Sequence, residues 1–88
     1  MAPERPTFHY REDVLAELWK YGVRPTDHTP PESVRAFIND LYRHELRRLR
    51  DRYLRREFPK RQYLDRVVEV RGRYRVLALR PRQWLDPA

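Results

Sequence analysis

Apolar positions along the chain fall into a few spaced groups, and their spacing differs from segment to segment. Val14, Leu15, Leu18 and Trp19 recur at the i, i+1, i+4, i+5 interval of one helix face. Glu12 and Asp13 place negative charge at the positive end of that helix dipole, and Lys20 sits near the other end. Gly22 stands where a left-handed C-terminal cap is wanted, and Pro25 bars continuation. A short helix over about 11–21 is predicted. Before it, Pro3 and Pro6 favour an extended arm over 1–10, with Phe8 and Tyr10 pinning it to the core and His9 facing away.

A second, longer pattern runs Val34, Phe37, Ile38, Leu41, Tyr42, Leu46, Leu49, Tyr53. Thr29-Pro30-Pro31-Glu32 reads as a capping box ahead of it, with Thr29 as N-cap and Ser33 as a rival. Pro59 is the stop, so a helix over about 31–58 is predicted. Glu45 interrupts the heptad that would follow Leu41, which favours an ordinary packed helix over a coiled-coil seam. The apolar arc drifts by about a quarter-turn between the two halves. Two neighbours are therefore expected: the first helix for Val34–Leu41, and the C-terminal segment or another molecule for Tyr42–Tyr53.

Residues 59–79 admit two readings. As a helix, Tyr63, Leu64, Val67 and Val68 share a face that Tyr74 continues, and Arg61–Asp65 and Glu69–Arg73 are i,i+4 pairs. As a hairpin, two β-branched runs flank Gly72-Arg73. An isolated two-stranded hairpin is marginal in water, so a helix over about 60–72 is favoured, followed by an extended stretch to Arg80. Pro81 is expected to end regular structure, with Trp84 and Leu85 folding back on the core and residues 86–88 fraying. The fold class is thus mostly α, with two to three helices, an arm and a tail. One domain is expected over residues 1–88, comprising arm 1–10, helical body 11–80 and tail 81–88.

Composition narrows the chemistry. The 88 residues include 18 Arg, 2 Lys and no cysteine, for a net charge of +7. Without cysteine there are no disulfides, thiolate metal sites or cysteine nucleophiles. The longest apolar run, Val76–Leu79, is far short of the ~20 residues of a membrane span, and Met1–Pro6 offers no apolar signal core. A cytoplasmic location is the expectation. His9, His28 and His44 lack metal-ligand spacing, so neither metal nor cofactor is expected. No nucleotide-binding glycine loop or nucleophile motif occurs, and the lone serine, Ser33, is explained by capping. Neither catalysis nor a small-molecule substrate is expected.

Charge is uneven. Residues 1–32 are net −2, residues 33–58 net +4 and residues 59–88 net +5. On the long helix, Arg43, Arg47 and Arg50 form one stripe, and Arg48, Arg52 and Arg55 a second beside the apolar arc. Asp40–Arg43, Arg47–Asp51 and Asp51–Arg55 have ion-pair spacing, at only ~0.2–0.5 kcal/mol each. Two readings follow. In the leading one, Leu46, Leu49, Tyr53 and Leu54, rimmed by Arg48, Arg52 and Arg55, form a protein interface for a partner or for self-association as a homodimer. In the other, Arg43, Arg47 and Arg50 neutralise the phosphates of RNA or DNA without reading sequence.

Leu15 to Leu41, with Leu-x-x-Leu-x-x-Tyr-Gly-Val-x-Pro, a loop and a second helix, resembles the helix–extended-loop–helix of LEM and SAP domains over about a third of the chain. The resemblance implies binding of DNA or DNA-associated protein. The loop carries Asp27-His28-Thr29-Pro30-Pro31 where those families place glycine and basic signatures, and the second helix is longer, so no functional residue is carried over.

Overall fold

The computed structural model describes residues 6–87; residues 1–5 of the expected arm and Ala88 lie outside that range. Three helices form: α1 (Glu12–Trp19), α2 (Pro31–Leu54) and α3 (Lys60–Arg73). Two 3-10 turns follow, Arg75–Ala78 and Pro81–Trp84. The fold is mostly helical, and among the described residues there are no strands. The molecule is elongated, 61 × 22 × 19 Å, because α2 alone is about 36 Å long and α3 folds back antiparallel along only its second half.

α1 ends as its sequence requires. Gly22 has φ 75°, and the Gly22 and Val23 amides donate to the Trp19 and Leu18 carbonyls at 2.9 and 3.1 Å. That pairing is a Schellman turn with glycine in its left-handed position.

α2 departs from expectation at both ends. The Thr29 hydroxyl does not cap it, because it faces back into the loop and accepts the Thr26 amide at 3.0 Å. Pro30 takes the N-cap position without a side-chain bond, and Pro31 opens the helix with its φ already set. At the far end α2 stops at Leu54, four residues short of Phe58. The Arg56 and Glu57 amides donate to the Tyr53 and Arg52 carbonyls at 2.9 and 3.2 Å, a second Schellman turn. Its left-handed residue is Arg56, with φ 62°. The turn lets Phe58 go into the core, where a continued helix would end against Pro59. Pro59 then caps α3 instead of merely ending α2.

The helical reading of 60–72 holds, but its shared apolar face does not. Tyr63, Val67, Val70 and Tyr74 point toward α2, while Leu64 and Val68 are 51% and 65% exposed. A helix packed on one neighbour covers only one stripe, and the i, i+4, i+7, i+11 set wins it.

The C-terminal segment is neither extended nor a loose tail. With no strand beside it, the backbone satisfies itself locally as two 3-10 turns. The Arg35 guanidinium, projecting from α2, donates to the Leu79 and Leu77 carbonyls at 3.1 and 2.7 Å. Pro81 starts the second turn instead of ending structure, and Gln83 Oε1 accepts the Arg80 amide at 2.7 Å. The turn delivers Trp84 to full burial, with its indole N–H donating to the Val76 carbonyl at 3.2 Å. Arm and C-terminus then hold each other: Arg11 N–H donates to Trp84 O at 2.9 Å and Asp86 N–H to His9 O at 2.7 Å. The expected fraying therefore does not reach Asp86. Both 3-10 turns lie along α2, and the first also meets α1. The C-terminal segment, more than α1, is thus the close backbone neighbour of the first half of α2, and α3 is the neighbour of the second.

Candidate functional site

The second half of α2, α3 and the turns that flank them carry most of the charge. Residues 43–75 hold 13 Arg and Lys against 5 Asp and Glu, net +8, so the other residues are net −1. The segregation is a consequence of packing as well as composition. α2 and α3 bury only a seam, chiefly Leu49, Phe58 and Val70, with Tyr53 stacked on Tyr63 at 4.5 Å between ring centroids. Everything outside the seam faces water, and there the arginines stand.

The sequence-predicted interface is divided by this seam. Leu49 is buried, and Leu46 and Tyr53 are half-buried against the core formed with α3. Leu54 is the exception at 64% exposed. Arg48 and Arg52 line a groove of about 510 Å³ between α2 and α3, where Arg66 and Arg73 join them over a floor that includes Leu49 and Val70. Arg55 turns to Glu57, which also accepts from Arg52; both Nε···O distances are 3.1 Å. These guanidinium bonds hold the exposed Glu57 carboxyl below its ordinary pKa. Arg52 and Arg66 also lie 5.3 and 4.7 Å from the Phe58 ring centroid, so two cations meet one aromatic ring.

On the opposite side, Arg47 and Arg50 line a shallower groove with Leu46, Tyr63 and Val67. Arg43 lies one turn earlier on the same stripe. Arg43, Arg47, Arg48 and Arg50 are all exposed, and none forms an ion pair among the described residues. The ion pairs expected along α2 and α3 give way to other partners. Arg73 reaches Glu45 across the helices instead of Glu69, and Arg55 takes Glu57 instead of Asp51.

Glu45, which looked in sequence like a break in the apolar pattern, is the hub of the junction. It accepts from Arg73 and, at 2.7 Å, from the Tyr74 hydroxyl. Tyr74 stacks on Tyr21 at 5.0 Å and tilts against Tyr42 at 5.1 Å, and the Tyr21 hydroxyl donates to the Arg73 carbonyl. Burial and then the Glu45 carboxylate raise the Tyr74 pKa. Sequence reading missed Arg66, Arg73 and Glu45 because their partners lie outside their own helix. The only local hint was a carboxylate on an otherwise apolar face.

The three histidines stay apart: His9 on the arm, His28 3.7 Å from Asp27 in the loop, and His44 on the groove wall. Among the described residues, no three His, Asp or Glu side chains come together as a metal site would require. Among the described residues, no helix is long and apolar enough to cross a membrane. No protein family, curated protein or solved structure matches the chain.

Proposed function

We propose that this protein binds the phosphate backbone of nucleic acid through the α2–α3 hairpin. The observation that supports this most is the net +8 of residues 43–75 against a net −1 elsewhere, with Arg43, Arg47 and Arg50 exposed and free of ion pairs. Guanidinium groups bind phosphate bidentately, and a row of them displaces condensed counterions. Base stacking has little support, since Tyr53 and Tyr63 stack on each other and Tyr74 is buried.

Fluorescence anisotropy with a labelled nucleic acid at several salt concentrations tests the reading. The log–log slope is expected at about −0.9 per duplex phosphate neutralised, and replacing Arg43, Arg47 and Arg50 by Ala lowers its magnitude by about 2 to 3. Absent or salt-independent binding removes the proposal.

A second reading, docking of a protein or of a second copy, is favoured by the exposed Leu54, Leu64 and Val68. Leu46, Leu49 and Tyr53 no longer contribute to its motive, because α3 already covers them. Sedimentation across protein concentrations checks the self-associating form, and a monomer throughout would eliminate it.

A further inference from the structure

The helical geometry of α2 places its exposed arginines more specifically than a basic patch would. With Leu49 taken as the inward direction, residues advance by about 100° each. Arg43 and Arg50 then lie about 100–120° round one flank, and Arg48 and Arg55, the latter at the C-cap and paired with Glu57, about 100–120° round the other. Each pair is spaced by two turns, about 10 Å along the axis. Between the flanks, on the ridge facing away from the core, stand Arg47 and Asp51, with His44 at the edge toward the α2–α3 groove. All seven side chains are exposed. α3 and the 3-10 turns pack on the opposite side of α2, so nothing among the described residues covers this ridge.

We infer that the nucleic acid is duplex DNA and that the outer ridge of α2 enters its major groove. This rests on the phosphate-binding reading above and deepens it. A helix with its side chains is about 10–12 Å across, and the B-form major groove is about 12 Å wide. A cation row on each flank meets the phosphates of both strands at once, which a single row on one face does not. Arg47 and Asp51 then face the base edges on the groove floor. A-form RNA has a deep, narrow major groove that excludes a helix. A single strand offers no second phosphate row, and α2 carries no exposed aromatic along this stretch to stack its bases.

The test compares one sequence as duplex DNA, single-stranded DNA and duplex RNA at the same low salt, using the intact protein. Duplex DNA is expected to bind at least about tenfold tighter than either competitor. Bound protein should shield guanine N7, in the major groove, from dimethyl sulfate and leave adenine N3, in the minor groove, reactive. Arg43→Ala/Arg50→Ala and Arg48→Ala/Arg55→Ala should each weaken binding clearly, whereas Arg61→Ala/Arg71→Ala, exposed on α3, should weaken it less. Circular dichroism verifies that each variant is folded. Equal affinity for all three nucleic acids overturns the groove assignment and leaves phosphate binding standing. So does protection of N3 alone, or an equal loss from the α3 variant. No binding to any of the three overturns both.

Discussion

The two ends of this molecule are held together in different ways. At the head, arm, α1, the start of α2 and the second 3-10 turn converge, and Trp84, Leu18, Ile38, Val14 and Pro31 are fully buried. In the hairpin, Leu49, Phe58 and Val70 keep 7%, 7% and 4% exposure, and its other apolar side chains, such as Leu54, Leu64 and Val68, are half-buried or exposed. The head supplies stability and is close to neutral; the hairpin carries the charge and little core. Mutual repulsion of the 13 bases within residues 43–75 opposes a compact hairpin. Its stability therefore depends on a thin seam and on the junction at Glu45. A small chain thus separates the part that holds its core from the part that carries its charge.

The sharpest way to break that contrast is to empty each core in turn. Trp84→Ala should cost about 3–5 kcal/mol, a large share of what a domain of this size possesses, and unfold the whole chain cooperatively. Leu49→Ala should cost about 2–3 kcal/mol and act chiefly on the hairpin. Hydrogen exchange then distinguishes them: amides of α3 should lose protection in Leu49→Ala while those of α1 keep theirs. Uniform loss in both variants would show that head and hairpin are one cooperative unit.

Alkali should act next, on the arm and the junction. Burial, then the charge of Glu32, raise Tyr10 to about 12, and burial raises Tyr21 and Tyr74. A phenol whose folded pKa lies above its unfolded value near 10 stabilises the fold fully below that pH. The contribution fades as pH climbs through the folded value. Thermal stability should therefore fall from about pH 10 upward, and less steeply in Tyr74→Phe. A flat melting temperature from about pH 9 to 11.5 would contradict this.

The smallest expected effects separate the two Schellman turns. Gly22 and Arg56 occupy the same left-handed position, one with no side-chain penalty and one with it. Gly22→Ala should destabilise by about 1 kcal/mol, and Arg56→Gly should stabilise by about 0.5–1 kcal/mol. Opposite shifts in chemical denaturation check both. The second variant also removes a cation, so its binding is best compared with that of Arg56→Asn, which tolerates the left-handed conformation better than most residues do.

Local chemistry was the legible part. The two N-terminal helices, the preference for a helix over 60–72 and the cap at Gly22 follow from residues close together in sequence, where propensity and periodicity act directly. The end of α2 was not legible, because an arginine gives no warning that it will adopt a positive φ. Only the burial of Phe58 against α3 makes that turn worthwhile. The candidate site was legible to the extent that arginine stripes on α2 can be drawn on a helical wheel. Which stripes remain free depended on Glu57 and Glu45 capturing Arg55, Arg52 and Arg73.

By itself, then, the sequence determined the helices, the absence of thiol chemistry and the excess of positive charge. The tertiary structure decided how α3 divides the apolar residues. Tyr63, Val67 and Val70 cover Leu46, Leu49 and Tyr53, while Leu64 and Val68 are left outside. It decided as well that the charge would gather on one hairpin. The physical reason is that a helix can bury only one stripe against one neighbour, and which stripe it buries is settled by the partner that docks.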